Sequence, residues 1–64
     1  MFPKQVQSIT IGDTRLVLWY MGKKSYQIET TRKSNTEVFN FESDHNHAVC
    51  ELIMRARELN NVQA

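Results

Sequence analysis

The densest group of chemically competent side chains is Asp44-His45-Asn46-His47, followed by Cys50 and Glu51. Carboxylate, imidazole and thiolate are the common ligand types for zinc. On a helix turning about 100° per residue, His47, Cys50, Glu51 and Met54 share one side. His47 and Glu51 stand at i, i+4 and could reach one ion. A structural zinc site, however, needs four ligands in a tetrahedron, usually from two separated pairs. No second pair occurs in the sequence, so the expectation is a polar helix start with solvated histidines and no metal.

Nucleophilic catalysis requires a base within hydrogen-bond reach of the nucleophile and a third group to orient that base. Cys50 and His47 lie one helical turn apart and could touch, but on a face expected to be exposed. Ser8 and Ser25 fall in strand segments with no histidine that the sequence places beside them. Gly12 and Gly22 are the only glycines, which excludes a Walker loop and a dinucleotide fingerprint. Both have a sufficient role in hairpin turns. The chain is therefore expected to be non-enzymatic and to carry no cofactor.

The elements that would position these groups follow from the pattern of apolar residues. Val6–Ile11, Arg15–Met21, Ser25–Thr31 and Thr36–Phe41 are rich in β-branched and aromatic residues, and turn-forming residues separate them. Beyond Phe41 the period changes: Val49, Leu52, Ile53, Ala56 and Leu59 keep the spacing of an amphipathic helix. Ser43 or Asp44 can cap its start, and Asn60-Asn61 can end it. The expected fold is α+β, a four-stranded antiparallel meander with one C-terminal helix on one face. Strands are placed at about 5–11, 15–21, 25–31 and 36–41, and the helix at about 44–60, within one small domain spanning 1–64.

At 64 residues, a chain buries only about 60% of the surface its unfolded form exposes, so a partner would help a core this small. A single cysteine, Cys50, excludes an internal disulfide and fits a reducing compartment. The start of the sequence has no apolar run of signal-peptide length, and no segment approaches a membrane span. A cytoplasmic protein without membrane contact is expected. Eight Lys and Arg against seven Asp and Glu give no basic excess of the kind nucleic-acid binders show. Lys23-Lys24 and Arg32-Lys33 sit in loops at opposite ends of the sheet and do not make one patch.

Register follows from keeping apolar residues together, because a slip by one residue moves every side chain to the other face. A two-residue Gly12-Asp13 turn, a three-residue Gly22–Lys24 loop and a four-residue Arg32–Asn35 loop put Ile9, Ile11, Leu16, Leu18, Tyr20, Tyr26, Ile28, Phe39 and Phe41 on the helix-covered face. The other face would then carry Val6, Ser8, Thr10, Arg15, Val17, Trp19, Met21, Gln27, Glu29, Val38 and Asn40. An open sheet face normally reads polar. Here Val6, Val17, Trp19, Met21 and Val38 would form an apolar centre within a polar rim, the composition of an interaction surface.

The expected partner is another protein, with Val17, Trp19, Met21 and Val38 giving affinity and Arg15, Gln27 and Glu29 selecting it; a homodimer through the same face is a further expectation. Compact proteins of this size without a site are often phage- or mobile-element-encoded inhibitors or adaptors, and that association sets the expected role. The alternative is a DNA-binding accessory protein using the same open face. Arg15, Trp19, Gln27 and Asn40 are of types that contact bases and phosphates. In outline the sheet-plus-helix arrangement resembles the small DNA-binding modules at the N-termini of phage integrases, which implies a sheet entering the major groove. Glu29 on that face opposes it, since a phosphate backbone would repel the carboxylate.

Overall fold

The computed structural model describes residues 3–63, with side chains described through Asn61. Its elements are β1 (Lys4–Ile11), β2 (Thr14–Gly22), β3 (Ser25–Arg32), β4 (Asn35–Glu42) and α1 (His45–Gln63). The strands form one open antiparallel sheet in the order β1-β2-β3-β4, with α1 packed against one face. The fold is α+β, as the sequence pattern indicates.

All three hairpins close with two-residue turns. Gly12, at φ 57, occupies the first central position of its turn, the glycine-first arrangement that matches strand twist. Lys23 and Lys24, at φ 51 and 61, both adopt the left-handed conformation of a type I′ turn. Two loops are thus shorter than the sequence suggests, yet the pairings Leu18–Ile28, Tyr20–Tyr26, Ile28–Phe39 and Tyr26–Phe41 all hold. A bulge between Tyr20 and Gly22 absorbs the odd residue in the second hairpin. In the third, strand pairing simply runs on to Arg32–Asn35, which preserves parity.

A second bulge corrects the placement of Val6. Pairing steps from Gln7–Leu18 to Gln5–Trp19, so Val6 is an extra residue on β1. Upstream parity is reversed, and Val6 packs against the core instead of joining the outer face.

The core joins Leu16, Leu18, Tyr26 and Ile28 of the sheet to Ala48 and Leu52 of α1, with Ile9, Tyr20, Phe41, Val49 and Leu59 packed around them. Small residues at Ala48 and Ala56, both buried, let the helix approach the sheet closely. Ile53 is 37% exposed and lies outside the helix stripe, contrary to its expected place. The buried stripe follows Ala48, Leu52 and Ala56 at strict i, i+4 steps, and Ile53 is rotated about 100° from Leu52.

Asp44 starts the helix. Its Oδ1 accepts the His47 backbone N–H at 2.8 Å, an N-cap bond, and lies 3.1 Å from His47 Nδ1. Ser43 instead donates its backbone N–H to the Lys24 carbonyl at 2.9 Å, which ties the end of β4 to the β2–β3 turn. From there α1 runs over β2 and β1. Strand β4 is left largely exposed.

Candidate protein-binding face

The sheet face turned away from α1 is built on β2, where alternation brings Arg15, Val17 and Trp19 to one side. Across the ladder, Val17 pairs with Ser8 and Glu29, and Trp19 with Gln5 and Gln27. Glu29 pairs in turn with Val38, and Gln27 with Asn40. Five of the expected residues (Val17, Trp19, Gln27, Glu29 and Val38) therefore form one neighbourhood. Arg15 lies toward the Gly12 end of the face. Met21 is the unpaired residue of the bulge at the opposite end, where the alternation of faces is interrupted. It lines a hollow of about 380 Å³ with Tyr26 and Phe41 of the helix-covered side as well as Asn40 and Glu42.

Within this neighbourhood the Trp19 indole N–H donates to Glu29 Oε1 at 3.3 Å. The two residues are diagonal across the β2–β3 ladder, a separation that long side chains bridge. The bond satisfies the polar edge of the ring and restricts its orientation, while Trp19 stays half-buried. It also engages Glu29, which the sequence suggests as a free selecting charge.

Val17 requires a correction. It is only 6% exposed, so it supports the surface from below and offers little of it. A short β-branched side chain in an interior strand sits low between longer neighbours, here Arg15 and Trp19 along the strand and Glu29 across it. The accessible apolar group within this neighbourhood is Val38, at 51%, while Met21, at 40%, stands in the bulge two residues beyond Trp19.

A second apolar feature, which the sequence pattern did not single out as a surface, lies on the helix side. Because α1 sits over β2 and β1, Phe39 on β4 is 43% exposed. The Arg55 guanidinium lies 4.3 Å from the Phe39 ring centroid and also meets Glu51 Oε1 at 3.1 Å. An aromatic ladder continues inward, with Phe39–Phe41 at 5.5 Å, Tyr26–Phe41 at 6.0 Å and Tyr20–Tyr26 at 5.1 Å. Beside it, a hollow of about 260 Å³ is lined by Leu16, Thr30, Glu37, Arg55, Glu58 and Leu59.

The polar cluster at the helix start has structural roles. His47 shares the capping carboxylate, and the His45 ring stands 6.5 Å from that of Tyr26. Cys50 is exposed. Among the described residues no group of three His, Cys, Asp or Glu could hold a metal ion. No described helix is long and apolar enough to cross a membrane. Burial, followed by the neighbouring Tyr20 and Asp44, pushes the Tyr26 phenol above its ordinary value of 10.0.

No family model, no curated protein and no solved structure matches this chain.

Proposed function

We propose that the protein is a non-enzymatic binding module that recognises another protein through its outer sheet face, as a small inhibitor or adaptor does. The observation that carries this reading is Trp19. It is a half-buried indole held by Glu29 on a face that no described element covers. Val38 on the same face, and Met21 in the bulge two residues beyond Trp19, are exposed apolar groups. An aromatic anchor whose orientation is already restricted loses less freedom on binding, and such residues concentrate interface energy. Arg15, Gln27 and Asn40 supply a polar rim, and Val17 supports the centre.

The test is affinity capture with the wild-type protein compared against Trp19→Ala and Met21→Glu, with folding of each confirmed by circular dichroism. A partner retained by wild type should lose affinity by about 2 kcal/mol or more with Trp19→Ala if Trp19 is a hot spot. Equal retention by all three would place the binding surface elsewhere. Salt separates the DNA-binding alternative: a phosphate-dominated complex weakens steeply as salt rises, whereas an apolar protein interface changes little.

A further inference from the structure

The two edges of the sheet differ. Strand β1 carries the bulge at Gln5–Gln7, and bulges and edge lysines such as Lys4 are devices that stop edge-to-edge pairing. Strand β4 has no bulge and no lysine, and its charges are Glu37 and Glu42. It pairs with β3 without a register shift from Asn35 to Glu42, and α1 packs over β2 and β1, reaching β4 through the Arg55 guanidinium on the helix-side face of Phe39.

The direction of its free backbone groups can be deduced. Closure of the two-residue turn bonds Asn35 to Arg32, and antiparallel bonding alternates thereafter. Odd-numbered residues therefore face β3, and the Ser43 N–H bond to the Lys24 carbonyl continues the same phase. Thr36, Val38, Asn40 and Glu42 consequently turn their N–H and C=O groups to the open edge.

We propose that β4 pairs antiparallel with β4 of a second copy of this chain, about a two-fold axis at Phe39. A two-fold pairing that keeps both helices on one face must match odd with odd and even with even residues. Centring on Phe39 pairs Val38 with Asn40 and Thr36 with Glu42 of the partner, so all four outward-facing residues are used. Centring on Val38 or Asn40 leaves Glu42 or Thr36, respectively, without a strand partner, and centring on Glu37 sets that carboxylate against its own copy. With Phe39 at the axis, no two glutamates are opposed. The two Phe39 rings meet at a non-hydrogen-bonded position, where side chains approach most closely. The edge is thus self-complementary in this one register: every outward-facing residue finds a partner on a second copy and the glutamates stay apart. The pairing goes beyond the proposed function and makes the outer faces of the two copies continuous through Val38 and Asn40.

Sedimentation across a concentration series, on wild type and Asn40→Pro, tests this directly. Proline at Asn40 removes an edge-facing N–H and no bond to β3, a position where sheets tolerate it. Wild type should be a dimer and Asn40→Pro a monomer with an unchanged circular dichroism spectrum. A wild type that stays monomeric, or an Asn40→Pro variant that stays dimeric, overturns the proposal.

Should Asn40→Pro fail to fold, disulfide trapping in a Cys50→Ser background decides. Phe39→Cys should cross-link to its own copy at least about tenfold faster than Val38→Cys, because Phe39 stands directly opposite its own copy at the closely spaced non-hydrogen-bonded position, whereas Val38 stands opposite Asn40 and lies only diagonal to its own copy. Equal or reversed rates refute the register. Met21→Glu should leave the dimer intact, so loss of partner capture and loss of self-pairing are read separately.

Discussion

The neighbouring residues Leu52 and Ile53 give the sharpest check on how α1 docks. Leu52 is fully buried, whereas Ile53 is 37% exposed. Truncating a fully buried leucine to alanine costs about 2–5 kcal/mol, from lost burial and the cavity left behind. A chain of this length has roughly 3–10 kcal/mol of total stability at the usual value per residue. Leu52→Ala should therefore remove a large share of it, and each kcal/mol lowers Tm by about 4–8 °C in a domain this small. Ile53→Ala loses only part of a side chain's burial, and alanine's better helix propensity offsets some of that, so about 1 kcal/mol or less is expected. Urea unfolding followed by far-UV circular dichroism measures both. Equal costs, or a larger cost at Ile53, would mean the helix is rotated from the orientation described and the Ala48–Leu52–Ala56 stripe is not its buried face.

Further outcomes follow from single features. The Thr14 hydroxyl is buried without a hydrogen-bond partner among the described residues, so Thr14→Val should be neutral or stabilise by about 1 kcal/mol in the same urea assay; a loss above that would reveal a bond the hydroxyl makes. Asp44→Ala should cost about 1 kcal/mol by removing the N-cap and Asp44→Asn much less, with thermal unfolding distinguishing a cap from a purely ionic role. Because the Tyr26 phenol is pushed above 10.0, the folded state resists its ionisation. The unfolded chain then releases that proton first, so the stabilisation is complete below about 10 and is lost as pH rises through the raised value. Tyr26→Phe should remove this alkaline loss, monitored by tyrosinate absorbance alongside unfolding, and an unchanged alkaline midpoint would show that another group controls it.

The pairing of the strands was legible in the sequence because short turns separate the segments and apolar residues alternate with polar ones at Ile9–Ile11, Tyr26–Ile28 and Phe39–Phe41, which fixes the parity of the continuous apolar run Leu16–Met21 between them. What escaped it were departures of one residue. The bulge at Val6 leaves no compositional trace, since Gln5, Val6 and Gln7 read as ordinary alternation. Ile53 fits the helical spacing as well as Val49 does; only the position of α1 over β2 and β1 decides between them. The outer face was legible as a set of residues but not in relief: burial of Val17 depends on how tall its neighbours stand. The Trp19–Glu29 bond was recoverable from register alone, as the two positions are diagonal. Exposure of Phe39 was not, because it reflects which strands the helix leaves uncovered.

The seat of α1 also bears on the order of folding. Each hairpin joins strands adjacent in sequence, so its pairing involves little loop-closure entropy and can form early. The helix, by contrast, follows β4 but covers β2 and β1, across nearly the whole sheet's worth of sequence. Until that long-range docking occurs, Leu16, Leu18, Tyr26 and Ile28 line a bare apolar plane, the kind of surface through which partly folded chains stick together. Docking of the helix is thus the step that covers this plane. Substitutions that slow its docking should show themselves first as aggregation during refolding, before any change in the native structure is detectable.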